Sequence, residues 1–212
     1  FILSFGFWKE KRKLVFITFF IFLLMGFQAV LGKLVVDSAL NPVKITTHML
    51  VALLIVAFQL LTIYWVRTDK ITITIDKKYK VLLLVTITLT IVQVVLGTSV
   101  REHIDSIIES GAPKLLWLQN PTVQFYIHRT FSIIIFLTNL FLFLRNKRLN
   151  LGLSKINWVM GIICCEIATG LIMYYFQFPF GTQAIHIVLA TILFGVQFYM
   201  ILESKEKKPK TE

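Results

Sequence analysis

Six long apolar stretches occupy most of this chain. Leu, Ile, Val and Phe dominate residues 14–32, 45–66, 81–97, 123–144, 156–176 and 182–202. A helix needs about 20 apolar residues to cross a hydrocarbon core of about 30 Å, and each stretch is close to that length. A transmembrane β-barrel would show shorter segments of alternating polarity instead. The pattern predicts an all-α protein with six membrane helices.

The composition supports the same class. Hydrophobic residues make up 57% of the chain, charged residues only 16%, and the mean hydropathy is +0.78. These values exclude a soluble globular domain. We therefore expect an integral membrane protein that is in contact with the lipid bilayer over most of its length.

The basic residues are sorted by loop. The net charge is +11, but 17 of the 22 Lys and Arg residues lie before residue 14, in residues 67–80, in residues 145–155 or after residue 202. This distribution indicates membrane orientation rather than nucleic-acid binding, so those segments and both termini are predicted to be cytoplasmic. The polar tail, residues 203–212, is predicted to be disordered beside anionic lipid.

A pattern in the second half repeats one in the first half at an offset of 138 residues. Gly32 corresponds to Gly170, His48 to His186, and Gln59 to Gln197. Two copies separated by four crossings have the same orientation, which predicts parallel repeats of a four-helix bundle. We assign residues 1–79 to the last two helices of a first unit and residues 80–202 to a complete second unit. The missing hairpin, with another histidine, is expected before Phe1 in an untruncated chain.

Three histidines share one predicted level in the membrane. His48, His128 and His186 each lie three to five residues into a span that starts on the outer side. A single histidine at a helix entrance is usually a hydrogen-bonded residue, but one on every outward-starting helix favours a functional site. Imidazole is a common iron ligand, and two histidines on facing helices can hold a haem iron from both sides. In the second unit that pair is His128 and His186.

A polar residue precedes a glycine by four positions in each helix that runs toward the outer side. The pairs are Gln28 and Gly32, Gln93 and Gly97, and Glu166 and Gly170. Both members of a pair share one helix face, and the glycine allows close packing or leaves room for a flat macrocycle, packing being the simpler explanation. Because Glu166 stands where the other helices have Gln, this position is predicted to need hydrogen bonding more than charge.

Other chemistry finds little support. Cys164 and Cys165 are adjacent and are interpreted as small core residues. The chain has no phosphate-binding loop, dinucleotide fingerprint, nucleophile elbow or cysteine-rich metal spacing. His103 lies in the predicted outer loop, residues 100–122, and is interpreted as a surface residue.

These motifs together resemble the haem A synthase family over nearly the whole chain. The resemblance rests on QAVLG at 28–32, QVVLG at 93–97, and the residues Asn41, Pro42, Thr47, His48, Val100, Arg101, His128, Arg129, His186, Ala190 and Gly195. It implies two pseudo-symmetric four-helix units, each with two histidines near the extracytoplasmic side. The second unit would hold haem b, and the first would bind the substrate, haem O.

The resemblance also implies residue roles. His128 and His186 would be the axial ligands of haem b, and His48 would be one ligand on the substrate side. Arg101 and Arg129 match family arginines near the haem mouth, where a guanidinium can pair with propionates. The family's catalytic glutamate and histidine fall before Phe1, so the catalytic residues are not identified, and the chain as written is expected to be inactive.

The implied activity is an oxidation for terminal oxidase assembly. The methyl group of haem O becomes the formyl group of haem A by successive hydroxylation and loss of water, while haem iron carries the redox chemistry. The resemblance implies a bacterial plasma membrane protein, with a haem O synthase as a partner. Residues 100–122 lack the cysteine pair that some members have in an outer loop.

Two other functions remain open. A non-enzymatic haem electron carrier would also use a bis-histidine bundle. A transporter with parallel repeats would have polar residues along a mid-membrane path, whereas the notable polar residues here cluster near the predicted outer face.

Overall fold

A computed structural model describes residues 1–37, 41–119 and 121–206. In these residues the chain forms six long α-helices: α1 Arg12–Asp37, α2 Pro42–Val66, α3 Lys77–Glu109, α4 Val123–Leu149, α5 Lys155–Tyr175 and α6 Thr182–Glu203. Short 3₁₀ helices span Ile2–Phe7 and Lys114–Leu116, and the strands are β1 Ile73–Ile75 and β2 Ser204–Glu206. The predicted all-α class is confirmed.

All six long helices are suited to cross a membrane. Their most apolar windows have mean hydropathies between 1.7 and 2.5. Large apolar side chains remain exposed on the helix surfaces, including Phe22 at 57%, Val188 at 56% and Ile134 at 46%. Such surfaces are stable against lipid and not against water. The chain is therefore an integral multi-pass membrane protein.

The first compact unit, Phe1–Ile71, contains the hairpin of α1 and α2. The buried residues Ile17, Ile21 and Ile55 form its apolar contact. The Asn41 side chain begins α2 by accepting hydrogen bonds from the backbone N–H groups of Val43 at 3.2 Å and Lys44 at 3.4 Å. This cap satisfies donors that have no partner inside the helix.

The second compact unit, Thr72–Glu212, contains a four-helix bundle. Helix α3 packs against α4 and α6, and helix α5 also packs against α4 and α6, so the four helices surround one core. Leu83, Leu142, Val159, Leu193 and Met200 are among the buried apolar residues of this core. The sequence placed the boundary between the units after residue 79, whereas the structure places it after Ile71.

Strand pairing explains this earlier boundary. Strand β1 precedes α3 and pairs in parallel with β2, which follows α6, with Ile73 opposite Ser204 and Ile75 opposite Glu206. The segment before α3 is thereby tied to the end of the same bundle. The prediction of a disordered tail was wrong for its first residues: Glu203 ends α6 and 204–206 form β2. Residues 207–212 lie outside the described residues.

Polar contacts join the elements at this end of the bundle. The Nζ of Lys155 contacts both carboxyl oxygens of Glu203, at 2.9 and 2.8 Å, and the Glu203 side chain is only 2% exposed. Arg145 pairs with Asp76, the N-cap of α3, at 2.7 Å. A buried carboxyl group is stable only with a partner, so Lys155 is needed to retain Glu203 in the core.

We predict that Lys155→Met destabilises the bundle. The substitution leaves the Glu203 carboxyl group buried without its cation, which typically costs about 3 kcal/mol or more. Chemical unfolding of the purified protein in detergent measures the change in the free energy of unfolding.

Lys80→Met is the matched control. Lys80 pairs with Glu206 at 3.4 Å, and both side chains are well exposed, at 38% and 42%. Exposed ion pairs contribute little, so little change is expected. The double variant Lys155→Met with Glu203→Leu should recover much of the lost stability. Equal losses for Lys155→Met and Lys80→Met would show that the Glu203 pair has no special role.

Candidate functional site

Each of the three helical hairpins brings a polar residue, a glycine and a histidine together. In each case the polar residue and the glycine are four positions apart on the first helix, and the histidine lies near the start of the second helix. The members are Gln28, Gly32 and His48 in α1–α2; Gln93, Gly97 and His128 in α3–α4; and Glu166, Gly170 and His186 in α5–α6. Residues four apart share a helix face, which explains the recurring contact.

In the α1–α2 hairpin the glutamine holds the backbone of the histidine. Gln28 Nε2 donates to the carbonyl oxygen of His48 at 3.0 Å. The imidazole of His48 lies against Gly32, since a Cβ added to this glycine would be 3.3 Å from His48 Cε1. The glycine therefore makes room for the ring.

The α3–α4 hairpin repeats this geometry. Gln93 Nε2 donates to the carbonyl oxygen of His128 at 3.1 Å, and a Cβ added to Gly97 would also be 3.3 Å from His128 Cε1. The two residues are 35 positions apart, compared with 20 for Gln28 and His48, because α3 is longer and a longer connection follows it. Equal contacts at different spacings indicate that this geometry serves a common purpose.

The α5–α6 hairpin differs at the polar position. Glu166 Oε2 lies 2.8 Å from Nδ1 of His186, so it contacts the ring and not the backbone. Thr169 Oγ1 is also 2.8 Å from this nitrogen. A Cβ added to Gly170 would be 4.0 Å from His186 Cε1, which is an ordinary contact. The ring of His186 is thus held by two polar side chains of α5.

The bundle brings the rings of His128 and His186 close together in an edge-on arrangement. Their ring centres are 6.5 Å apart, with the planes at 68°. A metal–imidazole bond is about 2 Å long and each ring centre lies on the order of 1 Å behind its nitrogen, so rings that share a metal have centres about 6 Å apart. The observed separation fits one metal ion between two imidazoles. Among the described residues, no group of three or more His, Cys, Asp or Glu side chains forms a metal cluster.

Two of the three hairpin histidines have a buried nitrogen without a hydrogen-bond partner in the described residues. Nδ1 of His48 and Nδ1 of His128 are buried and make no hydrogen bond in the described part of the chain. Buried polar atoms are normally paired, and exceptions often mark sites that work with a ligand or ion. Both atoms lie near the glycine of their hairpin, since an added Cβ would be 3.9 Å from Nδ1 of His48 and 3.7 Å from Nδ1 of His128. Nε2 is therefore the nitrogen that each ring could offer to a ligand.

His48 lines an open groove in the first unit. The groove is bordered by Met25, Gln28, Ala29, Gly32, His48, Ala52, Ile55 and Gln59. The polar residues of the groove have counterparts in the second unit at the 138-residue offset: His186 for His48 and Gln197 for Gln59. Gln28 differs, because Glu166 stands at its corresponding position. The groove therefore presents one histidine on a largely apolar surface.

Arg101 and Arg129, the two arginines predicted to lie near a haem, have different surroundings. Arg101 lies one turn beyond Gly97 on α3 and binds Asp105 through two contacts, Nε to Oδ2 at 2.7 Å and Nη2 to Oδ1 at 2.6 Å. Asp105 is 7% exposed, so it holds the guanidinium in place. Arg129 is exposed, and its guanidinium lies 5.3 Å from the centre of the Tyr126 ring.

The structure corrects the prediction for His103. This residue lies within α3, which continues to Glu109, and not in a loop. The predicted span ended at residue 97 because polar residues follow, yet a helix can continue past the apolar core. The surface interpretation is also incomplete, since His103 is half-buried and its Nε2 is buried without a hydrogen-bond partner in the described residues.

Sequence inspection missed two contacts of the site. Thr169 was not singled out, although its place three residues after Glu166 puts it on the same helix face. Asp105 was also missed, although a spacing of four from Arg101 is typical of a helical ion pair. Both signals were present in the sequence, but such spacings are common and select no residue by themselves.

Comparison with known proteins identifies the family. Searches of curated proteins and of solved structures found no match to the chain. A family model described as COX15-CtaA, cytochrome oxidase assembly protein, matches residues 1–198. This match covers nearly all of the 212 residues and agrees with the resemblance to haem A synthases. The chain therefore belongs to the COX15-CtaA family of cytochrome oxidase assembly proteins, the haem A synthase family.

Proposed function

We propose that this protein is an oxidoreductase of the haem A synthase type. In this proposal the second unit holds haem b between His128 and His186, and the first unit binds haem O beside His48. The observation that carries the proposal is the 6.5 Å separation of the two imidazoles on facing helices of the bundle. The family match, which concerns cytochrome oxidase assembly, supports the same function.

The residues around the paired imidazoles fit a haem. Gly97 leaves space for the His128 ring, and Nδ1 of His128 lies near that glycine, so Nε2 is the nitrogen that would bind iron. Nδ1 of His186 is occupied by Glu166 and Thr169, so Nε2 is the nitrogen left to bind iron. Haem b, when bound there, supplies an iron centre that accepts and passes on single electrons.

Arg101 is suited to a haem propionate. It lies one turn beyond Gly97 on the same face of α3, past the level of the His128 contact. Asp105 fixes the guanidinium, and the N–H groups that do not bind Asp105 can pair with a carboxylate. We assign Arg129 a weaker role in the same charge environment, because it is exposed and lies over Tyr126.

The His48 groove has the features of a substrate site. Its Gln28, Gly32 and His48 contacts match those of Gln93, Gly97 and His128 within 0.1 Å (3.0 against 3.1 Å for the hydrogen bonds, 3.3 Å for both glycines). The same contacts therefore support binding of a second haem. In the proposed reaction the haem O methyl group is hydroxylated twice, a four-electron oxidation whose electrons pass to an external acceptor. The resulting gem-diol loses water to give the formyl group.

The proposal includes a location and a partner. The sorting of basic residues favours cytoplasmic termini, with the three histidines near the outer face. The resemblance to haem A synthases favours a bacterial plasma membrane. A haem O synthase is the proposed supplier of the substrate. Haem O is poorly soluble in water, and direct transfer within the membrane avoids exposing it to water.

An electron carrier is the alternative function. Two protein ligands on one iron leave no free axial position, which suits electron transfer equally well. The two functions differ in the first unit, since a carrier has no need to bind haem O there. Titration of the purified protein with haem O, followed by absorption, therefore separates them. Saturable binding that His48→Ala removes supports the synthase, and its absence favours the carrier.

We predict that the two histidines of the second unit are both required for low-spin haem b. His128→Ala and His186→Ala should each abolish the low-spin signal in a reduced-minus-oxidised absorption spectrum, because each removes one axial ligand. Pyridine haemochrome quantification gives the haem content per chain.

His48→Ala and His103→Ala serve as controls for this prediction. His48 lies in the other unit, and His103 lies outside the imidazole pair, so both variants should keep haem b. Equal loss of haem b in His48→Ala would refute the assignment of haem b to the second unit. A folded wild-type protein that contains no haem would refute the proposed function.

We further predict that Gly97→Ala weakens haem b binding. The added methyl group would lie 3.3 Å from His128 Cε1, so the imidazole must shift by a few tenths of an ångström. Metal ligation depends strongly on such geometry, and we expect lower haem occupancy at equal protein yield.

Gly161→Ala is the matched control for Gly97→Ala. It makes the same change in another helix of the bundle, at a glycine whose added Cβ would meet nothing within 4 Å. Haem occupancy should stay at the wild-type level. Equal occupancy in Gly97→Ala and Gly161→Ala would show that Gly97 serves only helix packing.

A further inference from the structure

We infer that Glu166 is a positioning residue that makes the two axial ligands unequal: it holds His186 as the strong, retaining ligand and leaves His128 as the ligand that can leave. This inference rests on the proposed function, because it concerns haem b in the second unit. It goes beyond that function by assigning a role to an acidic side chain inside a membrane helix.

The hydrogen bonds around His186 select one tautomer. The Thr169 hydroxyl donates to the backbone carbonyl of Glu166 at 2.9 Å, so its oxygen accepts from Nδ1 of His186 at 2.8 Å. Glu166 Oε2, at 2.8 Å, is a second acceptor for the same N–H. With two acceptors facing it, Nδ1 carries the hydrogen, and Nε2 keeps its lone pair for a metal.

His128 lacks such support. Gln93 stands at the position of Glu166, but its amide donates to the backbone carbonyl of His128 and leaves the ring alone. Nδ1 of His128 is buried without a hydrogen-bond partner in the described part of the chain. Its ring lies near Gly97, where an added Cβ would be 3.3 Å from Cε1, whereas the ring of His186 is held by polar contacts to Glu166 and Thr169.

This difference affects ligand strength. An imidazole that binds a metal through one nitrogen and donates the N–H of its other nitrogen to a carboxyl group is a better electron donor to the metal, and its ring orientation is fixed. A better donor stabilises oxidised iron more than reduced iron. We therefore expect the Glu166 contact to lower the reduction potential of haem b and to strengthen the bond from His186.

The surroundings strengthen the contact. The side chains of Glu166 and His186 are 14% and 24% exposed, and the second carboxyl oxygen, Oε1 of Glu166, is buried without a hydrogen-bond partner in the described residues. A hydrogen bond is electrostatically stronger in a medium of low dielectric constant. Burying a carboxyl group inside a membrane helix is costly, so we expect Glu166 to have a role at the site beyond packing α5 against α6.

The first test is a redox titration of purified Glu166→Gln. Glutamine can keep a hydrogen bond to Nδ1 but is a weaker acceptor, so the midpoint potential should rise while haem occupancy stays near wild type. A tenfold loss of preference for oxidised iron would correspond to a rise of about 59 mV for this one-electron couple. Thr169→Val, which removes the other acceptor, should shift the potential in the same direction.

Glu206→Gln is the matched control for this titration. It makes the same chemical change in the second unit, at an exposed residue of β2 at the far end of the bundle. Its midpoint potential should equal that of wild type. If Glu166→Gln also titrates like wild type at equal haem content, Glu166 only ties two helices together and the inference is overturned.

The second test compares the two ligand variants for haem retention. His128→Ala should keep most of its haem in a high-spin form that binds carbon monoxide when reduced, because His186 remains. His186→Ala should lose most of its haem during purification. Equal retention, or better retention in His186→Ala, would overturn the inference while leaving the proposed function intact. Absence of haem from the folded wild-type protein would overturn both.

Discussion

A histidine inside a membrane helix bundle depends on neighbouring helices to position it, because the hydrocarbon core offers no water to its polar groups. This constraint organises each of the three hairpins in the part of the chain that the structure describes. In each hairpin a side chain of one helix reaches the histidine at the start of the next helix. In the first two hairpins a glycine one turn away makes room for the ring, whereas a Cβ on Gly170 in the third would make only an ordinary contact. The histidines are therefore built into the packing of the helices.

The constraint is met in two ways. Gln28 and Gln93 bind a backbone carbonyl, which fixes the helix and leaves the imidazole nitrogens available. Glu166 contacts the imidazole of His186 at Nδ1, which fixes the ring and leaves Nε2 without this contact. The repeated position carries an amide in Gln93 and a carboxyl group in Glu166. This one difference leaves the ring of His128 free to adjust and holds the ring of His186 in place. The repeat supplies the geometry, and the exchange supplies the chemical difference.

The sequence predicted the parts of this arrangement that depend on length and periodicity. Six spans follow from hydropathy because a membrane fixes helix length, and the level of the histidines follows from their distance to each span. The partners of the site depend on rotamers, which sequence does not show. Glu166 was noticed only as an exception, Asp105 was missed, and the end of α3 was placed too early because hydropathy falls before the helix ends.

The opposite end of the bundle allows the site to contain unpaired polar atoms. Glu203 lies about 25 Å from His186 along α6, at 1.5 Å per residue. There the Lys155 pair and the pairing of β1 with β2 close the bundle, with every carboxyl oxygen of Glu203 bound. Orphaned nitrogens such as Nδ1 of His128 lower stability, so they persist only in a fold that is stabilised elsewhere. The closed end of the bundle therefore supplies stability that offsets the unpaired nitrogens at the histidine end.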